Sequence, residues 1–177
     1  PGFKEAALLG YAYRVARGGH RVKADLVILD APATGHGVSL LAAPQLLAGA
    51  VGDGELGAMA RELAHHLADP DRCGIVLASL AEEMAVQETL ELIGQLRGRL
   101  HRQPDLVLAN GLYPALPEPP PEGPPAALNL WRQRREVNDR ELGRLRAGWD
   151  GPLVELPLLP LAAGPGLLRE LAGRLGP

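Results

Sequence analysis

The chain has 177 residues, enough for one domain with a sizeable core. Apolar residues make up 46% and charged residues 22%, which excludes a highly charged disordered chain; aromatics are only 3%, so the core must be built from Leu, Ala and Val. A net charge of −3 provides no general attraction to nucleic acid or to an anionic membrane. The single cysteine, Cys73, excludes an internal disulfide and fits a reducing, cytoplasmic setting. No apolar run reaches the roughly 20 residues that span a bilayer, and no signal peptide is visible. The chain opens on Pro1 rather than Met, which leads us to expect a fragment, a processed chain or a truncated reading of the gene.

In chain order, the first apolar run is Leu26-Val27-Ile28-Leu29. It is continuous rather than alternating, the pattern of a strand covered on both faces in a parallel sheet. Helical patterns follow over Gly37–Val51 and over Glu55–Ala68, the second stopped by Asp69-Pro70. Ile75 to Ala78 is a second strand. From Glu82 to Leu100, Val86, Leu90, Ile93, Leu96 and Leu100 share one face of a helix. Leu106 to Ala109 is a third strand.

Residues 114–125 hold seven prolines in twelve positions, which excludes a regular helix or a central strand. We read this stretch as an extended connector, although a proline-recognition ligand has the same composition. A long charged helix spans Ala126 to Ala147, with Leu128, Trp131, Arg135, Asn138, Leu142, Leu145 and Trp149 at three-four spacing. Its polar middle does not make a coiled-coil seam, and the reading is a solvated helix held down by Leu and Trp. Glu136 and Arg140 stand four apart, a spacing that permits an ion pair. Leu153 to Leu156 is a fourth strand and Leu167 to Leu175 a last helix. Strands alternating with helices predict an α/β fold: a mostly parallel sheet with flanking helices.

Ligands of open parallel sheets sit outside the carboxyl ends of the strands, so the residues after each strand are the candidates. Asp30 ends the first run, where it serves either a magnesium shell or the cap of the next helix. Thr34, Gly35 and His36 follow on a loop whose glycines suit a close approach to phosphate, a two-state loop or an ordinary turn. Asn110 precedes Gly111 after the third strand, where it is a turn former or a ligand contact. Pro157 and Leu158 follow the fourth. His65, His66 and Cys73 are metal-capable, but their spacing fits no closed zinc pattern, and we read a helix end instead.

Asp30-Ala-Pro-Ala-Thr-Gly-His36, with Leu40-Leu41 and Pro44 after it, resembles the second switch of the arsenite-pump and tail-anchored-protein-targeting ATPases. That family's usual pattern is Asp-Thr-Ala-Pro-Thr-Gly-His, so the departure here is Ala-Pro-Ala in place of Thr-Ala-Pro. Pro1-Gly2 with Glu5, Val76 to Leu90, Leu106 to Pro114 and Val154 to Leu159 resemble other stretches of the same family, with Ala81 standing where a proline is usual.

The resemblance implies a partial P-loop NTPase fold of the SIMIBI type. It implies that 1–113 carries the second switch, that 114–125 links, and that 126–177 completes the same domain as helix, strand and helix. It implies ATP and Mg2+ as cofactors. Asp30 would hold the magnesium shell through water, and Gly35 would sense the γ-phosphate through its amide. Thr34 and His36 would relay that state. Asn110 would bond adenine, with Pro157 and Leu158 beside the base. A homodimer or a paired ATPase subunit is the implied partner.

The family's phosphate loop ends in Gly-Lys-Thr. Here the only lysines are Lys4 and Lys23, and neither follows a glycine. Gly18 to Lys23 precedes a run instead of following one. The expectation is therefore an ATPase in the complete protein and no hydrolysis by this chain alone. The alternative is a non-catalytic binding or regulatory module that pairs with another ATPase subunit. One cysteine argues against a thiolate arsenite site, and one methionine within 37–67 argues against a Met-rich groove for membrane-helix clients.

Overall fold

The computed structural model describes residues 3–18, 24–31, 35–52, 54–117 and 125–175, without the side chains of 3–6 and 35–36. They form two compact units, Pro1–Gly74 with Leu92–Gln103 and Ile75–Glu91 with Pro104–Pro177.

The first unit is helical. Helices α1 (Phe3–Ala16), α2 (Gly35–Ala50) and α3 (Glu55–Ala68) pack on one another around Leu9, Leu40 and Leu63, with Tyr13, Leu29 and Leu67 against them. Four-residue spacing explains two of these faces, since Leu9 and Tyr13 lie one turn apart on α1, as do Leu63 and Leu67 on α3. Helix α2 carries no Asp, Glu, Lys or Arg, and it touches α1, α3 and the π-helical turn Leu96–Leu100. Buried Arg102 donates to the carbonyls of Leu67 and Cys73, so the guanidinium satisfies the last turn of α3 and the chain that follows it.

Two expectations for this unit are corrected. Residues 24–31 form no strand, and Leu26 and Ile28 are 76% and 84% exposed. An apolar run becomes a strand only where a neighbour takes its amides and carbonyls, and no backbone hydrogen bond from 26–30 reaches another described residue. Gly35 and His36 do not lie on a loop either, for they open α2, two residues before the predicted start.

The second unit holds a three-stranded sheet of β1 (Val76–Leu80), β2 (Leu106–Leu112) and β3 (Leu153–Pro157), in that order and all parallel. This α/β architecture with flanking helices is the one the alternating pattern predicts. Strand β1 runs in unbroken register with β2 from Val76 opposite Leu106 to Leu80 opposite Asn110. Asp105 ties the start of both strands, its backbone N–H donating to the Ile75 carbonyl and its carboxylate accepting from the Ile75 N–H.

Helix α4 (Glu83–Gln95) follows β1, and its Val86 is fully buried. The predicted stripe continues as Ile93 and Leu96, but from Leu96 the helix widens into the π-helical turn and stops at His101, whose φ is 51°. Helix α5 (Pro125–Gly148) buries Leu142 and Leu145. Pro125 suits its first position, where no amide hydrogen is needed. Arg140 pairs with Glu141, and Arg135 with Asp139, in place of the anticipated Glu136–Arg140 pair. Helix α6 (Pro165–Ala172) closes the unit with no fully buried residue.

Candidate functional site

The carboxyl edge of the sheet is built by three strand ends and by α5. Between Ala109 and Leu112, β2 advances three residues while β3 advances only two, from Glu155 to Pro157. The extra residue is a β-bulge at Asn110-Gly111, and Gly111 takes φ 69°, a left-handed angle that glycine adopts without steric cost. A bulge breaks the strict alternation of side chains and re-aims the residue it carries. Asn110 is exposed here, with no side-chain hydrogen bond to another described residue.

Next to it, the Leu158 N–H donates to the Leu112 carbonyl at 2.7 Å, which holds the end of β3 against the end of β2. The structure thus brings Asn110, Pro157 and Leu158 to one edge, with Leu158 41% exposed. Ser79, near the end of β1, is buried and its hydroxyl donates to the Leu80 carbonyl. Glu82 meets Arg134 of α5 at 3.4 Å, on an exposed rim.

The polar middle of α5 is the part that sequence reasoning missed. Trp131 donates to the Pro114 carbonyl at 2.9 Å and stands edge-on to Tyr113, with ring centres 5.0 Å apart. Arg135 donates to the Tyr113 carbonyl at 2.7 Å. Asn138 accepts from the Tyr113 N–H at 2.8 Å and donates to the Ala81 carbonyl at 2.9 Å. The signal was the inward stripe itself. Polar residues at buried stripe positions need partners, and the loops after β1 and β2 provide them. One turn on, Glu141 is buried between Arg140 and Arg144, and the Arg140 hydrogen bond holds its carboxyl below the ordinary range.

The switch residues belong to the first unit. Asp30 lies near the end of segment 24–31 and is exposed, Thr34 lies outside the described residues, and Gly35 and His36 begin α2. The Gly35 amide is therefore a first-turn donor without an intrahelical acceptor, the type of group an anion takes. The same unit holds a cleft of about 570 Å3 beside Tyr13, Glu62 and His66. Arg17 pairs with Glu62 there and Arg72 with Asp69, so the cleft offers a small ligand little net charge.

No protein-family model matches the chain, and no curated protein matches it. Among the described residues no group of three or more His, Cys, Asp or Glu converges to hold a metal ion. A lone carboxylate such as Asp30 is still enough for Mg2+, which keeps most of its waters and takes phosphate oxygens as further ligands. At the sheet edge, the Asn110 amide has no side-chain hydrogen bond to another described residue and offers a donor and an acceptor, and Pro157 and Leu158 add apolar surface at the same edge. Among the described residues no helix is long and apolar enough to cross a membrane.

Proposed function

We propose that this chain carries the second switch and the adenine-side edge of an ATP-binding, ATP-hydrolysing switch protein of the arsenite-pump and tail-anchored-targeting family, with a P-loop NTPase fold of the SIMIBI type. The observation that carries the reading is Asn110. It is exposed, it has no side-chain partner among the described residues, and it sits on a bulge beside Pro157 and Leu158 at the carboxyl edge of a parallel sheet. In this reading Asn110 pairs with the adenine edge, and Pro157 and Leu158 cover its face. The Gly35 amide senses the γ-phosphate, and Thr34 and His36 pass that state to a second copy or to a paired ATPase subunit. Asp30 holds Mg2+ through water, and the ion neutralises charge on the phosphates. A cytoplasmic setting belongs to the same reading.

Without a Gly-Lys-Thr loop the chain has no backbone cradle and no lysine for the phosphates, so the 177 residues alone turn over no ATP. Adenosine isolates the base contact from the missing phosphate grip. Titration of the 15N-labelled chain with adenosine should move the Asn110, Gly111 and Leu158 signals. Guanosine should bind more weakly, and Asn110→Ala should lose adenosine by about tenfold, the worth of one or two hydrogen bonds. Equal binding by parent and variant, or no saturation at millimolar adenosine, would sink the base assignment. ATP turnover above background would sink the claim of inactivity.

A further inference from the structure

The ends of parallel strands are weak points, because past the last ladder bond each leaves an N–H or C=O that water contests. In the second unit one side chain takes two such groups. Asn138 is 6% exposed, its Oδ1 accepts from the Tyr113 N–H at 2.8 Å, and its Nδ2 donates to the Ala81 carbonyl at 2.9 Å. Ala81 follows β1 and Tyr113 follows β2, so one amide ties the exits of two neighbouring strands. Arg135 takes the Tyr113 carbonyl from the same helix, so α5 holds the backbone N–H and the carbonyl of that residue together. The bulge at Asn110-Gly111 lies just before this fixed point, opposite the Leu80 end of β1.

We infer that Asn138 is the positioning residue of the carboxyl edge. By clamping Ala81 against Tyr113, it sets the direction in which the bulge presents Asn110. It acts through the backbone on either side of the bulge. The choice of residue is specific, since only an amide side chain of this length offers one donor and one acceptor side by side. An aspartate keeps the acceptor for Tyr113 and sets an anion against the Ala81 carbonyl, whereas a leucine of similar shape keeps neither bond. The ligand half of this inference rests on the adenine reading, and the clamp itself does not.

The test uses the full chain, with adenosine as probe and amide hydrogen exchange as an independent measurement. Asn138→Leu should speed exchange at Gly111 and Tyr113 by about tenfold, roughly the loss of one buried hydrogen bond, while Val107 at the start of β2 stays protected. Adenosine affinity should fall by a similar factor. Asn138→Asp should keep Tyr113 protected and bind adenosine with intermediate affinity, and it decides the matter if the leucine variant fails to fold. Faster exchange at Gly111 with parent-like adenosine affinity would overturn the positioning role, as would unchanged exchange at both amides. If the parent chain itself binds no adenosine, the base reading falls, and exchange at Gly111 still supports or overturns the clamp.

Discussion

Replacing Gly151 by alanine should cost more than any other glycine change near the sheet. A Cβ built there lies 2.1 Å from Cζ2 of Trp149, 2.6 Å from Cη2 and 2.7 Å from Cε2. An indole cannot bend away from such a contact, so either the whole ring swings or the backbone moves. Trp149 is only 5% exposed, and its Nε1 donates to the Pro152 carbonyl at 3.0 Å. The Val107 N–H donates to that same carbonyl at 3.0 Å, so moving the backbone disturbs the entrance of β3 as well. Overpacking costs about 1–3 kcal/mol and one lost hydrogen bond about 1, giving an expected loss of about 2–4 kcal/mol. Gly148→Ala is the matched control. Its Cβ meets Leu90 Cδ2 at 2.6 Å, but this is the far end of a side chain that can turn, and alanine suits a helix better than glycine. That variant should stay within about 1 kcal/mol of its parent. Urea denaturation can be followed in a Trp131→Phe background, which leaves Trp149 as the sole tryptophan reporter. Gly151→Ala within about 0.5 kcal/mol of its parent, with unchanged emission, would refute the steric argument.

Leu145 is fully buried, so Leu145→Ala should lose about 2–5 kcal/mol in the same assay, whereas Leu168→Ala, at a site 66% exposed, should lose less than about 0.5. The Glu141 carboxyl is held below its ordinary 4.5 by Arg140, so its stabilisation is complete above pH 4.5 and lost as pH falls through the lowered value. Glu141→Gln should flatten the acid side of the stability profile, and an unchanged slope below pH 4.5 counts against the pairing. Burial, and then the nearby Arg72, push the His66 imidazole below its ordinary 6.5, so folding favours the neutral ring. Between the lowered value and 6.5 the unfolded chain binds more protons, and stability therefore falls as pH drops through that window. His66→Gln should reduce this slope, read as the urea midpoint followed by circular dichroism from about pH 7.5 down to about pH 5, and an unchanged slope counts against the burial of this ring.

The three strands of the sheet were legible because each is a short, largely apolar run between helical patterns; coverage on both faces does not hold throughout, since Val76 and Leu80 of β1 are 57% and 46% exposed and Glu155 interrupts β3. Leu26 to Leu29 carry the same signal and form no strand, because composition records what a strand requires but not whether a neighbour is there to pair with it. Helix α1 is hard to read from the sequence because Gly10 interrupts it and, among its described side chains, Leu9 and Tyr13 mark the packed face. That Asn110, Pro157 and Leu158 stand at one edge was legible because a parallel sheet places its strands' carboxyl ends together, so the residues just past each run share that edge by topology alone. The bulge that aims Asn110 was invisible, since it exists only as a mismatch between two strands. Asn138 stands in plain view within the α5 stripe, one turn before the buried Leu142, and a polar residue on a buried face is a request for partners that the reading of a solvated helix overlooks.

The unpaired segment has one more consequence, and it concerns handling rather than chemistry. Four consecutive apolar residues whose backbone groups bond no other described residue are an open template for pairing between molecules. Asp25 and Asp30 bracket them, both exposed. Their charges act as gatekeepers, because stacking copies of the run would stack like charges at both ends. Removing the charge of Asp30 should therefore make concentrated solutions of this chain less forgiving.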